Sequence, residues 1–90
     1  MCQEAEKANK LIVPHCWNTG IGIAATAHLA AATTCKFIEF LPLGLSHSPI
    51  RRNLTFDEEL VLEKGFLKVP MRPGLGINLN MDALRKLEAQ

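Results

Sequence analysis

The sequence predicts an α/β fold that contains a β-α-β unit, and three observations support this prediction. A short apolar run at residues 11–13 ends at Pro14. A second apolar run, at residues 35–41, ends at Pro42. Between them lies an Ala-rich segment, residues 21–32, with apolar side chains at helical spacing. Continuous apolar runs are typical of parallel strands covered on both faces, and a right-handed crossover through a helix joins such strands.

The start of the chain and the entry to the central helix carry recognisable end signals. Residues 1–9 are rich in helix formers and finish at Asn9, which indicates the last turns of a helix. Pro14 fits the end of a strand better than its middle, because proline cannot donate to a sheet ladder. Asn18 or Thr19 can cap the helix that follows.

The second half of the chain has a different character. Residues 42–59 are expected to form a long irregular connection, in which residues 55–58 resemble a capping box without a clear helix after them. Residues 61–69 predict a hairpin whose turn centres on Lys64 and Gly65. Asn80 can cap a final short helix that runs from Met81 to about Glu88.

Size and composition restrict the classes of function. Ninety residues make at most one small domain, and 48% hydrophobic against 21% charged residues indicates apolar surface that needs a neighbour. A net charge of +1 gives no reason to expect nucleic acid or a membrane as partner. The three cysteines lack metal-ligand spacing, which favours reduced thiols in a cytoplasmic protein. We find no signal peptide, and the longest weakly polar run is too short to span a bilayer.

Two ionisable residues mark the ends of the predicted strands. His15 follows the first strand, and Glu39 lies near the carboxyl end of the second. In α/β barrels the chemistry takes place at the carboxyl ends of the strands, so these two are the candidate catalytic residues. The alternative for His15 is a histidine bonded to backbone, and Glu39 could instead pair with Lys36 or Arg51.

Other candidate sites have weaker support. His28 falls inside the Ala-rich helix and is interpreted as structural, whereas His47 is expected to be solvated in a polar loop. Zinc at the cysteines lacks paired ligand spacing, and Cys16 and Cys35 have only their position near strands to suggest a nucleophile. The glycines of residues 20–22 do not have the spacing of a dinucleotide fingerprint and favour close backbone packing over phosphate binding.

Several motifs together resemble the enolase superfamily, in its mandelate racemase/muconate lactonizing enzyme-like branch. Residues 13–22 with the helix after them resemble that branch's seventh strand and helix, and residues 37–40 are similar to its eighth strand. Residues 65–77 resemble its C-terminal tail. The resemblance implies a modified TIM barrel of the (β/α)7β type with a capping domain. Residues 1–44 would then be the end of helix 6, strand 7, helix 7 and strand 8, and residues 45–90 a tail associated with the cap.

The resemblance also implies roles and partners. His15 would be the general base or acid at the carbon next to a substrate carboxylate, and Glu39 would hydrogen-bond that carboxylate. Trp17 would line the pocket beside His15, or else pack under the barrel rim. The complete enzyme would use Mg²⁺, held by carboxylates upstream of residue 1, with none bound by this chain alone.

These implications predict a function for the whole protein. The chain would be the C-terminal fragment of a Mg²⁺-dependent acid-sugar dehydratase or racemase, inactive until it meets the N-terminal portion. Its substrate would be a small-molecule carboxylate. The alternative is a non-catalytic remnant that acts as a small interaction or oligomerising module, since exposed strand edges favour self-association.

Overall fold

A computed structural model describes residues 1–56 and 59–89 of the chain. Within them the chain forms short helices and one two-stranded antiparallel sheet. The helices are α1 (Cys2–Lys7), α2 (Gly20–Ala31), a 3₁₀ helix (Leu43–Leu45), α3 (Pro49–Asn53) and α4 (Met81–Glu88), and the strands are β1 (Leu62–Glu63) and β2 (Phe66–Leu67).

Helix α1 ends where the sequence predicts. The backbone at Asn9 adopts a φ of 57°, in the left-handed region that Asn tolerates better than most residues. The Lys10 N–H then donates to the Ala5 carbonyl at 2.8 Å, which closes the last turn of the helix. No residue of α1 is buried, so this helix contributes little to the core.

The two predicted strands of the β-α-β unit are not formed as strands in the described part of the chain, and this corrects the prediction. Residues 11–13 and 35–41 lie side by side, joined by a backbone hydrogen bond from the Glu39 N–H to the Pro14 carbonyl at 3.2 Å. Parallel sheets are normally covered on both faces, whereas both segments leave large apolar side chains such as Leu11 and Phe37 exposed to solvent. The two segments are therefore extended and adjacent, but they do not form a sheet in the described structure.

Helix α2 confirms the predicted helix and provides the core. Thr19 is its N-cap residue in extended conformation, although the Thr19 side chain makes no capping hydrogen bond. One face of the helix is fully buried at Ile23 and Ala24. This face packs with residues from the turn before the helix and from the second half of the chain, namely Cys16, Leu43 and Leu60.

The predicted irregular connection contains two short helical elements. The 3₁₀ helix begins after Pro42, and α3 has Pro49 at its first position, where proline costs no hydrogen bond. The capping-box prediction involves Asp57 and Glu58, which lie outside the described residues. Its first residue, Thr55, forms an isolated antiparallel bridge with Leu79, which ties the end of α3 to the tail.

The hairpin and the last helix are confirmed. Strands β1 and β2 pair across a two-residue turn in which Lys64 has a φ of 51° and Gly65 a φ of 80°, as a type I′ turn requires. Asn80 is the N-cap of helix α4, and its side-chain oxygen accepts a hydrogen bond from the Ala83 N–H at 3.1 Å. The Asn80 N–H donates to the Leu54 carbonyl at 2.7 Å, so α4 is anchored beside α3. None of the described helices is long and apolar enough to cross a membrane.

A polar cluster around Glu59 fastens the tail. The Glu59 carboxylate accepts hydrogen bonds from the Asn78 N–H at 2.8 Å, from the Asn78 side chain and from the Arg72 guanidinium. Burial alone would raise the pKa of Glu59. The Asn78 N–H, the Arg72 hydrogen bond and charge, and the Asn78 side chain together lower that pKa below the ordinary value of 4.5.

This cluster predicts a loss of stability in acid. A depressed carboxyl pKa stabilises the fold above the unfolded-state pKa, and that contribution disappears as the pH falls through the folded-state pKa. We therefore expect the free energy of unfolding, measured by urea denaturation, to fall as the pH is lowered below the ordinary carboxyl pKa of 4.5. Glu59→Gln should remove much of this pH dependence, whereas Glu63→Gln on the exposed hairpin should leave it. An unchanged pH dependence in Glu59→Gln would contradict the assignment.

Candidate active site

The structure brings the two sequence-predicted catalytic residues together. The Nε2 atom of His15 lies 3.5 Å from the Oε2 atom of Glu39, although the residues are far apart along the chain. The His15 side chain is 79% exposed, so its ring is open to a substrate. Glu39 is half-buried beside it. Because a carboxylate next to an imidazole orients the ring and neutralises the charge that it gains with a proton, the pair is suited to proton transfer.

The position of Glu39 is fixed by a backbone donor. The Cys16 N–H donates to the same Oε2 atom of Glu39 at 2.8 Å. Cys16 is itself fully buried, and its sulfur accepts a weak hydrogen bond from the Thr26 hydroxyl on α2 at 3.5 Å. The carboxylate is thus attached to the turn that carries His15, and the turn to the core. The sequence does not predict this backbone contact.

Neither sequence-based alternative partner of Glu39 takes that role in the described structure. Lys36 forms no ion pair with Glu39 in the described structure, and Arg51 contacts Asn18 instead of Glu39. The Arg51 Nε–H donates to the Asn18 carbonyl at 2.6 Å, and the guanidinium carbon lies 5.3 Å from the centre of the Trp17 ring. Trp17 therefore packs on Arg51. Its role in lining a substrate pocket remains a prediction.

The other two histidines lie away from this pair. His28 on α2 is within 3.0 Å of the Leu75 carbonyl through its Nε2 atom, which fits its structural interpretation because the contact holds the tail against the helix. His47 is exposed in the connection before α3, as expected for a solvated residue.

The described residues do not by themselves fit the magnesium ion that the resemblance implies. Magnesium prefers six oxygen ligands, usually with one or two carboxylates among them. No three His, Cys, Asp or Glu side chains lie together as a metal site in residues 1–56 and 59–89. Glu39 is the carboxylate of the pair, and its Oε2 atom already accepts from Cys16. What these residues offer is an oriented imidazole beside an anchored carboxylate.

Comparison with known proteins identifies the family. The sequence model of the enolase C-terminal domain-like family matches residues 1–83 of the chain. The chain is 38% identical over 79 residues to a D-galactarolactone cycloisomerase from Agrobacterium fabrum, a match that covers 81% of this chain and 21% of the relative. It is 34% identical over 68 residues to an arabinonate dehydratase from Saccharolobus solfataricus, covering 76% of this chain and 17% of the relative.

The chain thus spans about a fifth of the length of the curated relatives that it matches. No solved structure gives a significant match. The family match covers most of the chain and includes the turn that carries His15 and the segment that carries Glu39. The chain belongs to the enolase C-terminal domain-like family, in the mandelate racemase/muconate lactonizing enzyme branch of the enolase superfamily.

Proposed function

We propose that this chain supplies a proton-transferring pair to an enzyme that acts at the carbon next to the carboxylate of an acid sugar. The observation that carries the proposal is the 3.5 Å separation of His15 Nε2 and Glu39 Oε2 on the turn anchored by Cys16. The matches to an acid-sugar dehydratase and a sugar-lactone cycloisomerase support the substrate class. Removing a proton next to a carboxylate makes a dianionic enediolate, and enolase-superfamily sites use a Lys or His base for this step.

His15 is the residue that moves the proton. An imidazole ring can both accept a proton and return it, which suits a residue that acts as general base and general acid. It takes the proton from the α-carbon, or gives one to a leaving hydroxyl group in a dehydration. High exposure leaves both reactions sterically open on the described part of the chain.

Glu39 has two roles that depend on its protonation state. When ionised it only accepts hydrogen bonds, so it holds the His15 ring and balances the imidazolium charge. When protonated it becomes a donor, and its O–H can then bond a substrate carboxylate oxygen as negative charge grows there. The Cys16 N–H keeps the carboxyl group in place in either state.

The remaining parts of the site come from polypeptide outside these ninety residues. An enediolate needs strong electrophilic stabilisation, which in this superfamily comes from Mg²⁺. The described residues offer no ligand cluster for that ion. Exposed apolar side chains on the two extended segments, Leu11, Val13 and Phe37 among them, provide surface for such an association. In this proposal the enzyme is a soluble protein of the cytoplasm, and the chain alone is inactive.

A split-protein experiment tests the proposal. The chain is mixed with the portion of the Agrobacterium cycloisomerase that precedes the matched region, with Mg²⁺ present, and acid sugars and their lactones are screened. We expect the two parts to bind each other and to give turnover that neither shows alone. Failure of the parts to associate, measured by size-exclusion chromatography, would count against the proposal, as would association without turnover on any acid sugar.

A second candidate function rests on the same exposed apolar surface. Leu11, Val13 and Phe37 lie on segments whose free backbone edges can pair with another chain. On this view the chain is a non-catalytic module that self-associates. A defined oligomer with a cooperative melt by circular dichroism, and no binding to the cycloisomerase portion, would favour this function over the first.

A further inference from the structure

Arg51 on α3 is a buried cation beside the start of α2, and it lacks a counter-charge in the described structure. Arg51 is only 7% exposed, and its Nη1 and Nη2 atoms are buried without a hydrogen-bond partner among residues 1–56 and 59–89. Its Nε–H donates to the Asn18 carbonyl. Burying a guanidinium without a counter-charge is strongly unfavourable. A position of this kind calls for an anion.

The surroundings of Arg51 add further unused donors. Asn18 directly precedes Thr19, the N-cap of α2, so its carbonyl holds the guanidinium at the entrance to that helix. The first N–H groups of α2 have no side-chain cap. The hydroxyl of Thr55 is also buried without a partner in the described part of the chain. Thr55 packs so closely on Gly20 that a side chain at Gly20 would overlap it.

These groups all favour negative charge. A helix N-terminus carries a partial positive charge, and its free N–H groups bind carboxylates and phosphates. A guanidinium next to that terminus is unfavourable unless an anion lies between or beside them. Arg also binds both of these anions through two parallel N–H donors, which Nη1 and Nη2 can supply here.

We propose that Arg51, Thr55 and the first turn of α2 form an oxyanion-binding site for a small-molecule carboxylate or phosphate. The guanidinium of Arg51 lies against the ring of Trp17, and Trp17 is 57% exposed. The site adjoins the His15–Glu39 pair without sharing its donors, since the Cys16 N–H and the His15 ring face Glu39. The proposed anion site does not depend on the proton-transfer function proposed for His15 and Glu39.

The test uses Trp17 as the reporter. The chain has one tryptophan and no tyrosine, so its intrinsic fluorescence reports on the ring that covers Arg51. The purified full chain is titrated at constant ionic strength with inorganic phosphate and, separately, with malonate. We expect a saturable change with at least one of these anions and none with chloride. The two arms show which oxyanion the site takes.

A matched pair of arginines gives the control. Arg51→Gln should weaken the binding at least about tenfold, which corresponds to roughly 1.4 kcal/mol. Arg52→Gln removes the same charge from an exposed neighbour on α3 and should change the dissociation constant less than about twofold. If Arg51→Gln fails to fold by circular dichroism, Arg51→Lys keeps the charge, loses the fork, and should still weaken binding severalfold.

Three results would overturn the proposal. The first is the absence of a saturable response to either anion. The second is an equal loss in Arg51→Gln and Arg52→Gln, which would show a general charge effect. The third is a double variant, Asp57→Asn/Glu58→Gln, that binds either anion at least about tenfold more tightly than the unmodified chain, because carboxylates of the chain itself would then compete for Arg51.

Discussion

His15→Asn is expected to lower the turnover number of the reconstituted enzyme at least a hundredfold while leaving its assembly unchanged. General acid–base groups contribute about 10²–10⁴-fold to rate, and Asn cannot take up a proton near neutral pH. The His15 side chain is 79% exposed, so its replacement removes little packing. Turnover by steady-state kinetics and assembly by size-exclusion chromatography separate the chemical effect from a structural one.

His47→Asn is the matched control for that variant. His47 is exposed on the connection before α3, and no hydrogen bond or ion pair joins it to Glu39 in the described structure. We expect turnover within about twofold of the unmodified chain, because surface substitutions away from special features have small effects. A turnover in His15→Asn that also stays within twofold would show that the exposed imidazole is not the base.

Glu39→Gln distinguishes the charge of Glu39 from its shape. A Gln side-chain oxygen can still accept from the Cys16 N–H, so the turn stays anchored. The substitution removes the negative charge beside His15, so the positive charge that the His15 ring gains with a proton is no longer neutralised. In the His15→Asn background the further substitution should have little additional effect on turnover, because residues that act as a unit are not additive.

Local signals explain which elements the sequence predicts well. The hairpin follows from Lys64 and Gly65, because a two-residue turn with positive φ at both positions favours these residues over β-branched ones. Helix α4 follows from Asn80, whose capping bond forms within the first turn. In each case the residues that specify the element lie inside it. Helix α3 has such a signal too, in Ser48 followed by Pro49, but a single helical turn offers no periodicity to support it.

The predicted strands show the limit of that reasoning. An apolar run such as residues 11–13 specifies a strand only through the neighbours that pair with it. In the described structure, the backbone hydrogen bond that joins this segment to residues 35–41 is the one from the Glu39 N–H to the carbonyl of Pro14, directly after the run, and no ladder forms. His15 and Glu39 are nevertheless close together, because their proximity requires only that the two segments end side by side.

The burial of Arg51 could not be predicted from the sequence at all. Arg51 and Arg52 are adjacent and chemically identical, yet one is buried under Trp17 and the other is exposed. Which of them turns inward depends on how α3 is rotated against the turn at Asn18, and five helical residues contain no pattern that fixes such a rotation. The same applies to the Cys16 N–H, whose bond to Glu39 is a property of tertiary structure.

Ile23→Ala is expected to destabilise the chain by about 2–5 kcal/mol, the range measured for truncating buried aliphatic side chains to alanine. Ile23 is fully buried on α2, and it packs in one cluster with Cys16, Leu43 and Leu60. The measurement is the free energy of unfolding in urea at neutral pH. Small domains have a low free energy of unfolding, so a loss of this size leaves a substantial fraction of the molecules unfolded.

Ile21→Ala makes the same truncation two residues earlier, where the side chain is 36% exposed, and should cost less than half as much. The comparison also bears on the active site. Ile23 and Cys16 belong to the same core cluster, and the Cys16 N–H donates to the Glu39 carboxylate beside His15. Where Ile23→Ala remains folded, the reconstituted enzyme should therefore lose turnover more than Ile21→Ala does. Equal stability and equal turnover in the two variants would mean that the core under the turn does not position the pair.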